Sequence, residues 1–323
     1  MPVGDVARLR AFALVAELGS VSAAADVLGY TQSAVSQQLA GLERDTGVPL
    51  IDRAQRPLRP TVAGAALLPH AQRVLAAVVG IEGALDDLHS GRRMIRLAAF
   101  TSALSSFVPA AVRDLRRANP GLVVRVLQVE TREAIDRLRR GEADLAVVHH
   151  MPGVAVPDTA GLRRRHLLDD HLSIVLPGRH RLARLDAVRI ADLEGEPLIL
   201  PRRDTPAGRF RAVVEQLCAE AGFTPTVAYE LDDLPAVQAF AAAGIGIVPM
   251  HGLTLGTVPA GAVTRPLADR PAGSRRIEAL LPAGADRLVE QIAERLVVSS
   301  RQHARRSRSS GDGAPEDRGR VRA

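Results

Sequence analysis

Seven apolar residues, Leu67, Ala71, Val74, Val78, Ile81, Leu85 and Leu88, recur at alternating spacings of four and three. Such a repeat lines one narrow stripe of a single helix, the seam by which two helices pack. An amphipathic helix packed on its own domain would show the same stripe. Arg73, Glu82 and Asp86 on the opposite face, and distinct domain-like sequence on either side, favour a seam between two chains. Thr61 is placed to cap this helix and Ser90-Gly91 to end it. Pro69 lacks an N–H and opposes the carbonyl of Ala65, so the helix either bends there or starts after it. Both versions leave Ala71 to Leu88 for a partner.

The block before the seam reads as three helices. Val6, Leu9, Phe12, Val15 and Ala16 keep helical spacing until Gly19 stops them. Ser22 is placed to cap a short second helix to Leu28, broken by Gly29, and Thr31 a third to about Arg44. Two short helices across a Gly-containing turn have helix-turn-helix geometry. In the third, Val35, Leu39 and Leu42 must face inward, which leaves Gln32, Ser33, Ser36, Gln37 and Arg44 outward. Gln pairs with adenine N6 and N7, and Ser with base edges or phosphates; a plain solvated face fits equally well. The stretch DRAQRPLRPT tips the balance. Its prolines limit helix, and Arg53, Arg56 and Arg59 suit an extended basic wing on phosphates or in a narrow minor groove.

Composition narrows the rest. With 323 residues the chain exceeds one typical domain. Aromatics are 2% and Trp is absent, so its cores must be built from Ala, Val, Leu and Ile. All 42 basic residues are Arg, and the net charge of +6 favours a polyanionic partner, although part of that excess lies in the last residues. The one cysteine, Cys218, has no intramolecular partner and sits in an apolar helical stretch, as a buried inert thiol would. The start of the chain lacks a signal core, and uncharged apolar runs fall short of the ~18 residues of a bilayer span, so a soluble cytoplasmic protein is expected.

The stretch LRAFALVAELGSVSAAADVLGYTQSAVSQQLAGLERDTGVPLIDR, followed by LRPTVAGAALLPHAQRVL, resembles the winged helix-turn-helix and linker helix of the LysR-type transcriptional regulators. The shared offsets are Gly19, Ser20, Ala24 and Ala25, then Gln32 to Ser36 and Gln38, Leu42-Glu43, Gly47, Leu50, Arg53, and Thr61 to Gly64. Ile51, where the family usually has Phe, and Asp52 are departures that leave the fold unaffected. The resemblance implies DNA contacts from Gln32, Ser33, Ser36 and Gln37, with Gln37 at the variable base-reading position. It places Arg53 and the wing arginines Arg56 and Arg59 on the backbone or minor groove. Dimerisation falls to Leu67, Val74, Val78, Ile81, Leu85 and Leu88.

From Arg92 onward, short apolar runs alternate with amphipathic helices. Strands are expected at Ile95–Ala99, Val123–Val129 and Leu145–Val148, with helices near 104–118 and 131–140. A second series follows Gly161: strands at Ser173–Leu176, Pro197–Leu200, Val227–Glu230 and Ile245–Val248, and helices near 206–221 and 233–243. Strands at Val263–Pro266 and Arg276–Leu281 and a helix at Asp286–Val298 close the chain. Such alternation predicts α/β lobes with mostly parallel sheets. The region resembles the family's effector domain, two lobes like a periplasmic solute-binding protein. The expected fold is thus an all-α winged helix-turn-helix with a long linker helix, then a two-lobed periplasmic-binding-protein-like α/β domain. The expected limits are 1–61 for the DNA-binding domain, 62–90 for the linker helix and 91–302 for the effector domain. Within that, lobe one takes 91–162 and 265–302 and lobe two 163–264; 303–323 is a disordered basic tail holding, with Arg301, seven arginines from Arg301 on.

Ligands of open α/β sheets sit beyond the carboxyl ends of strands. Here those ends carry Thr101, Ser102, Glu130, Thr131, His149 and His150 in the first lobe, and Arg202, Asp204 and Thr205 in the second. Thr101 and Ser102 also suit a helix cap. Adjacent His149 and His150 point to opposite faces, poor geometry for a metal. Asp169-Asp170-His171 and Asp232-Asp233 have neither zinc spacing nor a nucleophile motif, and read as solvated loop residues and caps. Gly244-Ile245-Gly246 is too short for a dinucleotide fingerprint. Neither a catalytic set, a cofactor nor a metal is expected. The resemblance implies a homodimer or homotetramer on an imperfect palindrome of double-stranded DNA, a small effector that the Arg and His side chains would suit as an anion, and RNA polymerase as a further partner. A solute-binding module or hydrolase with an incidental helical N-terminus is the competing class.

Overall fold

The computed structural model describes residues 5–90, 93–151, 154–155, 157–256, 258, 260–268 and 273–311, without the side chains of 82–84, 86–90 and 307–311. It divides into two compact units, Met1–Met94 with Asp136–Asp144, and Ile95–Ile135 with Leu145–Ala323.

In the first unit, α1 (Val6–Leu18), α2 (Val21–Leu28) and α3 (Gln32–Thr46) each end on a left-handed glycine, Gly19, Gly29 and Gly47. Asp5 and Thr31 cap α1 and α3. The cap of α2 is Ser20, whose Oγ accepts from the Ala23 amide; Ser22, expected there, sits inside the helix. Phe12, Val15, Val35, Leu39 and Leu42 form the core between these helices. Strands β1 (Ile51–Asp52) and β2 (Arg59–Pro60) pair antiparallel as the wing. Ile51 is buried in the same core, filling the site without strain on the fold. Thr61 then caps α4 (Val62–Ser90) through the Gly64 amide, and α4 continues unbroken through Pro69.

Two glycines explain how wing and helices meet. Gly19 has φ +65°, and a Cβ there would stand 2.7 Å from Pro57 Cβ. Its carbonyl accepts from the Leu58 amide at 2.8 Å, so the end of α1 clasps the wing. At Gly64 a Cβ would fall 2.0 Å from the Leu50 carbonyl oxygen.

The expected seam on α4 is divided. Leu67, Ala71 and Leu75 pack into the unit's own core. Val78 is half-buried, whereas Val74, Ile81 and Leu85 are 45%, 61% and 49% exposed. The side chain of Leu88 lies outside the described residues. Val62–Ile81 is long and apolar enough by composition to cross a membrane, with mean hydropathy 1.4. Its apolar surface is mostly uncovered, as expected of a helix awaiting a partner.

The second unit holds two lobes. The first is a five-stranded sheet ordered β4-β3-β5-β12-β6, built from β3 (Arg93–Ala99), β4 (Leu122–Gln128), β5 (Leu145–His150), β6 (Leu162–Asp170) and β12 (Arg275–Pro282). Strands β3 and β5 run parallel, and β12 lies antiparallel between β5 and β6. Alternate residues Leu97, Leu145, Ile277, Ala279 and Leu281 face α6 (Val108–Ala118) and α11 (Arg287–Gly311). The short α5 (Thr101–Leu104) precedes α6, so the single helix expected near 104–118 is two. Helix α7 (Thr131–Arg139) joins β4 to β5.

In the second lobe, β10 (Val248–His251) and β11 (Ala262–Pro266) flank β7 (Leu172–Pro177), both antiparallel to it, while β8 (Pro197–Leu200) pairs parallel with β9 (Thr226–Glu230). A bridge from Leu198 to Ile247 connects the two sheets. Leu172, Ile174 and Leu176 pack towards α8 (Gly208–Glu220), and Val175 towards α9 (Leu234–Ala242). Short α10 (Gly252–Leu255) follows β10.

Three expectations shift. Leu162–Asp170, placed by sequence in the second lobe, is the edge strand of the first lobe's sheet; its exposed run Arg163, Arg164, Arg165 and His166 hides the strand pattern, because edge strands carry charge. The run Ile245–Val248 supplies one bridge residue, and the strand proper starts at Val248. Helix α11 runs to Gly311, through much of the segment expected to be disordered, because Arg, Gln and Ala favour helix and no Gly or Pro intervenes. Residues 312–323 lie outside the described residues.

Replacing Gly64 with Ala forces backbone apart at the foot of the wing. We expect a loss of about 1–3 kcal/mol, read as a lower urea midpoint; an unchanged midpoint would mean that the approach to Leu50 is not tight.

Candidate functional site

Helix α3 presents its polar residues because its apolar ones are spent on the core. Val35, Leu39 and Leu42 are buried, and Gln32, Ser33, Ser36 and Gln37 are exposed. Gln32 Nε2 donates to Ser22 Oγ at 3.0 Å, which fixes the turn between α2 and α3. The wing is tied to α3 by Glu43. Its Oε1 accepts from the Leu50 and Ile51 amides at 2.9 and 3.3 Å, and its Oε2 takes Arg53 Nη2 at 2.9 Å. Arg53 is therefore anchored to the helix while still 63% exposed. Arg56 Nη1 donates only to carbonyls of its own turn, Arg53 and Gln55, and Arg59 is exposed on β2. Basic side chains on a strand beside an exposed polar helix can meet phosphates while the helix meets base edges.

In the second unit, strand ends converge on Arg275, the first residue of β12. Its guanidinium is buried and donates to Asp170 Oδ2 (2.9 Å from Nε) and to Ser102 Oγ (2.7 Å from Nη2). It also lies 5.1 Å from the centre of the Phe100 ring. Asp170, the last residue of β6, is buried and accepts from the Leu253 amide through Oδ1, which ties the first lobe's sheet to the start of α10. The solvated role expected of Asp170 is thus corrected. His171 Nδ1 meets Ser274 Oγ at 3.0 Å, and Asp169 pairs with His166 and Arg276. Asp233 does cap α9.

Four expected residues gather around this centre. Ser102 binds Arg275; Thr101 Oγ1 accepts from Gln128 Nε2 at 3.1 Å. Thr131 Oγ1 accepts from the His149 amide at 3.1 Å and donates to the His149 carbonyl at 3.3 Å, pinning the start of α7 to the end of β5. The His149 ring meets Phe100 edge-on at 4.8 Å, places Nε2 3.6 Å from Glu130 Oε2, and buries Nδ1 without a partner among the described residues. His150 faces away: its Nε2 stands 3.0 Å from Glu278 Oε2 as an ion pair without hydrogen-bond angles, with Arg164 Nε 3.3 Å from the same oxygen. From the second lobe, His251 Nε2 donates to the Gly273 carbonyl at 2.9 Å and its ring lies 5.0 Å from Phe210. Arg202 and Thr205 are used otherwise. Arg202 pairs with Asp204, and its amide and the Thr205 hydroxyl both donate to Asp232 Oδ1. That turn satisfies itself.

Sequence reasoning did not pick out Arg275, Asp170, His251 or Arg209. Arg275 stands 105 residues from Asp170 and 173 from Ser102, so no local spacing joins them.

Burial holds His149 below the usual imidazole value, opposed by the Glu130 carboxylate and reinforced by Arg275. His251 is pushed well down, again by burial and then by Arg275. The His149 ring, with the charges of Arg275 and Arg209, holds the Glu130 carboxyl below the usual carboxylate value despite partial burial. Cys218 is buried in α8, and desolvation raises its thiol to about 11.

A DNA-facing helix and wing joined to a two-lobed α/β domain with polar side chains at its strand ends are the parts of a ligand-responsive DNA-binding protein. Residues 89–297 match the family described as LysR substrate binding domain, and residues 6–65 the one described as bacterial regulatory helix-turn-helix protein, lysR family. The chain belongs to the LysR family of transcriptional regulators. It is 31% identical over 254 residues to the HTH-type transcriptional regulator ShiR of Corynebacterium glutamicum, covering 78% of this chain and 84% of that one. It is 36% identical over 203 residues to a probable hydrogen peroxide-inducible genes activator of Mycobacterium avium, covering 60% of this chain and 61% of that one. Among solved structures, the Corynebacterium glutamicum OxyR C206 mutant has a TM-score of 0.58 at 22% identity, covering 96% of each chain, a likeness of fold.

The unfolded chain binds protons that the buried rings of His149 and His251 refuse. A depressed imidazole thus contributes stability above its ordinary value of 6.5 and loses it as pH falls through that value. The thermal midpoint of the ligand-free protein should fall between pH 7.5 and 5.5, before the carboxylates titrate, and less so in His251→Gln. A flat profile would contradict neutral buried rings.

Proposed function

We propose that this chain reads an imperfect palindrome as a dimer, with Gln32, Ser33, Ser36 and Gln37 at base edges and adjoining phosphates and with Arg53, Arg56 and Arg59 on the backbone. The observation that carries this reading is the exposed polar face of α3 beside a wing held by Glu43. Val74, Val78, Ile81 and Leu85, with Leu88, form the seam to the second copy, and Leu67 supports it from within its own unit. A dimer sets its two recognition helices about 34 Å apart, one turn of DNA. Two such dimers form a tetramer, RNA polymerase is its partner at the promoter, and the protein works in the cytoplasm. The domain limits that go with this reading are 1–61, 62–90 and 91–302.

The effector sits between the lobes near Thr101, Ser102, Thr131 and His149, with Arg202 and Thr205 holding the second lobe's rim through Asp204 and Asp232. Its effect requires unequal affinity for two arrangements of the domain. A thiol-based peroxide response finds no support in this sequence: its single cysteine is buried, and thiolate chemistry needs access and a lowered pKa.

A footprint upstream of the chain's own gene, at two salt concentrations, tests the DNA reading. Gln37→Ala should cost about 1–3 kcal/mol on the preferred site and relax one base pair per half-site. Arg56→Ala should weaken all sequences alike and flatten the salt slope by about one unit. Protection indifferent to sequence and to both substitutions would favour the solute-binding module instead.

A further inference from the structure

The interlobe cleft has a charge balance that restricts its ligand. Arg275 is neutralised by Asp170, its charge shared with Ser102 and the Phe100 ring. Glu130, at the mouth, lies in the field of Arg209 on the first turn of α8. Two arginines and two carboxylates cancel. His251 and His171 on the second lobe's side are committed to the Gly273 carbonyl and the Ser274 hydroxyl. His149 remains, with a buried Nδ1 that meets no partner among the described residues and an Nε2 set 3.6 Å from Glu130. The chain has only six Phe and two Tyr, and two of the Phe, Phe100 and Phe210, stack on His149 and His251 at this centre. A ligand body that is small and planar or apolar suits such walls.

We propose that the cleft takes a small monocarboxylate, held between His149 of the first lobe and Arg209 of the second, and that His149 gains a proton as the anion enters. The proposal rests on the effector reading above. An anion adds one negative charge to a balanced, partly desolvated site, and the group able to answer it is the imidazole with an unused nitrogen. His149 is neutral in the empty cleft because it is buried; a carboxylate beside it reverses that preference. Binding therefore weakens as pH rises, by about tenfold per unit once the proton must be drawn from solution. A dianion would need a second proton that the site does not supply.

The test uses the full chain and two matched pairs, butyrate with butyramide and nicotinate with nicotinamide, plus inorganic phosphate, at equal ionic strength. Thermal shift at pH 6 and pH 8 and titration calorimetry in buffers of different ionisation heat give the readout. We expect a carboxylate to stabilise the protein more at pH 6 than at pH 8, with uptake of about one proton, and its amide not to. In His149→Gln the pH dependence disappears, and in Arg209→Ala, an exposed substitution that leaves the core intact, affinity falls at both pH values. Equal stabilisation by the amides, a match by phosphate, zero proton uptake, or no response to any carboxylate each overturns the proposal. The operator footprint is independent of these readouts, so its persistence would leave the regulator reading standing while the carboxylate assignment fell.

Discussion

The ion pair between Arg275 and Asp170 is the contact on which the two-lobed domain is organised. Asp170 ends β6 and Arg275 begins β12, the two strands nearest the crossings between lobes. Both are buried, and breaking such a pair by removing one partner costs about 3–5 kcal/mol, because the survivor keeps its charge without its partner. Every remaining donor and acceptor is spent on an element that must meet there: Ser102 on α5, the Leu253 amide on α10, the Phe100 ring at the end of β3. The pair gives geometry more than net stability. It makes the neighbourhood of His149 dry, polar and fixed, the conditions under which one added charge is felt.

The same economy governs the DNA-facing unit. Its core has few aromatics, so it relies on close approach rather than bulk: Gly19 under Pro57, Gly64 under Leu50, and alanines at the helix crossings. Helix α4 gives Leu67, Ala71 and Leu75 to that core and keeps Val74, Ile81 and Leu85 outside it. One heptad pattern thus serves two contacts. Its first part is inside the unit, and its later part is uncovered.

Much of this was legible from the residues. The three N-terminal helices, their glycine stops, the Thr61 cap and the polar face of α3 follow from short-range rules, which act over a turn or two of chain. Most strands of the lobes were placed within a residue or two because buried strands are apolar runs. Edge strand β6 was missed because its exposed arginines disguise it, and the length of α11 because a basic, serine-containing segment reads as disorder although nothing in it breaks a helix. The cleft was half visible. Thr101, Ser102, Thr131 and His149 sit at strand ends and are found by that rule. Asp170, Arg275 and His251 owe their roles to contacts across 100 residues or more, or to the packing of one lobe on the other, which no spacing encodes.

Glu43 has a consequence for how DNA is measured. It lies on the recognition helix yet spends one oxygen on two wing amides and the other on Arg53. The reading helix and the strand that grips the backbone are therefore one rigid gauge, with a fixed span between base edge and phosphate. When half-sites differ in separation, that gauge cannot stretch, and the difference has to be taken up outside it, along the helix that joins one copy to the next.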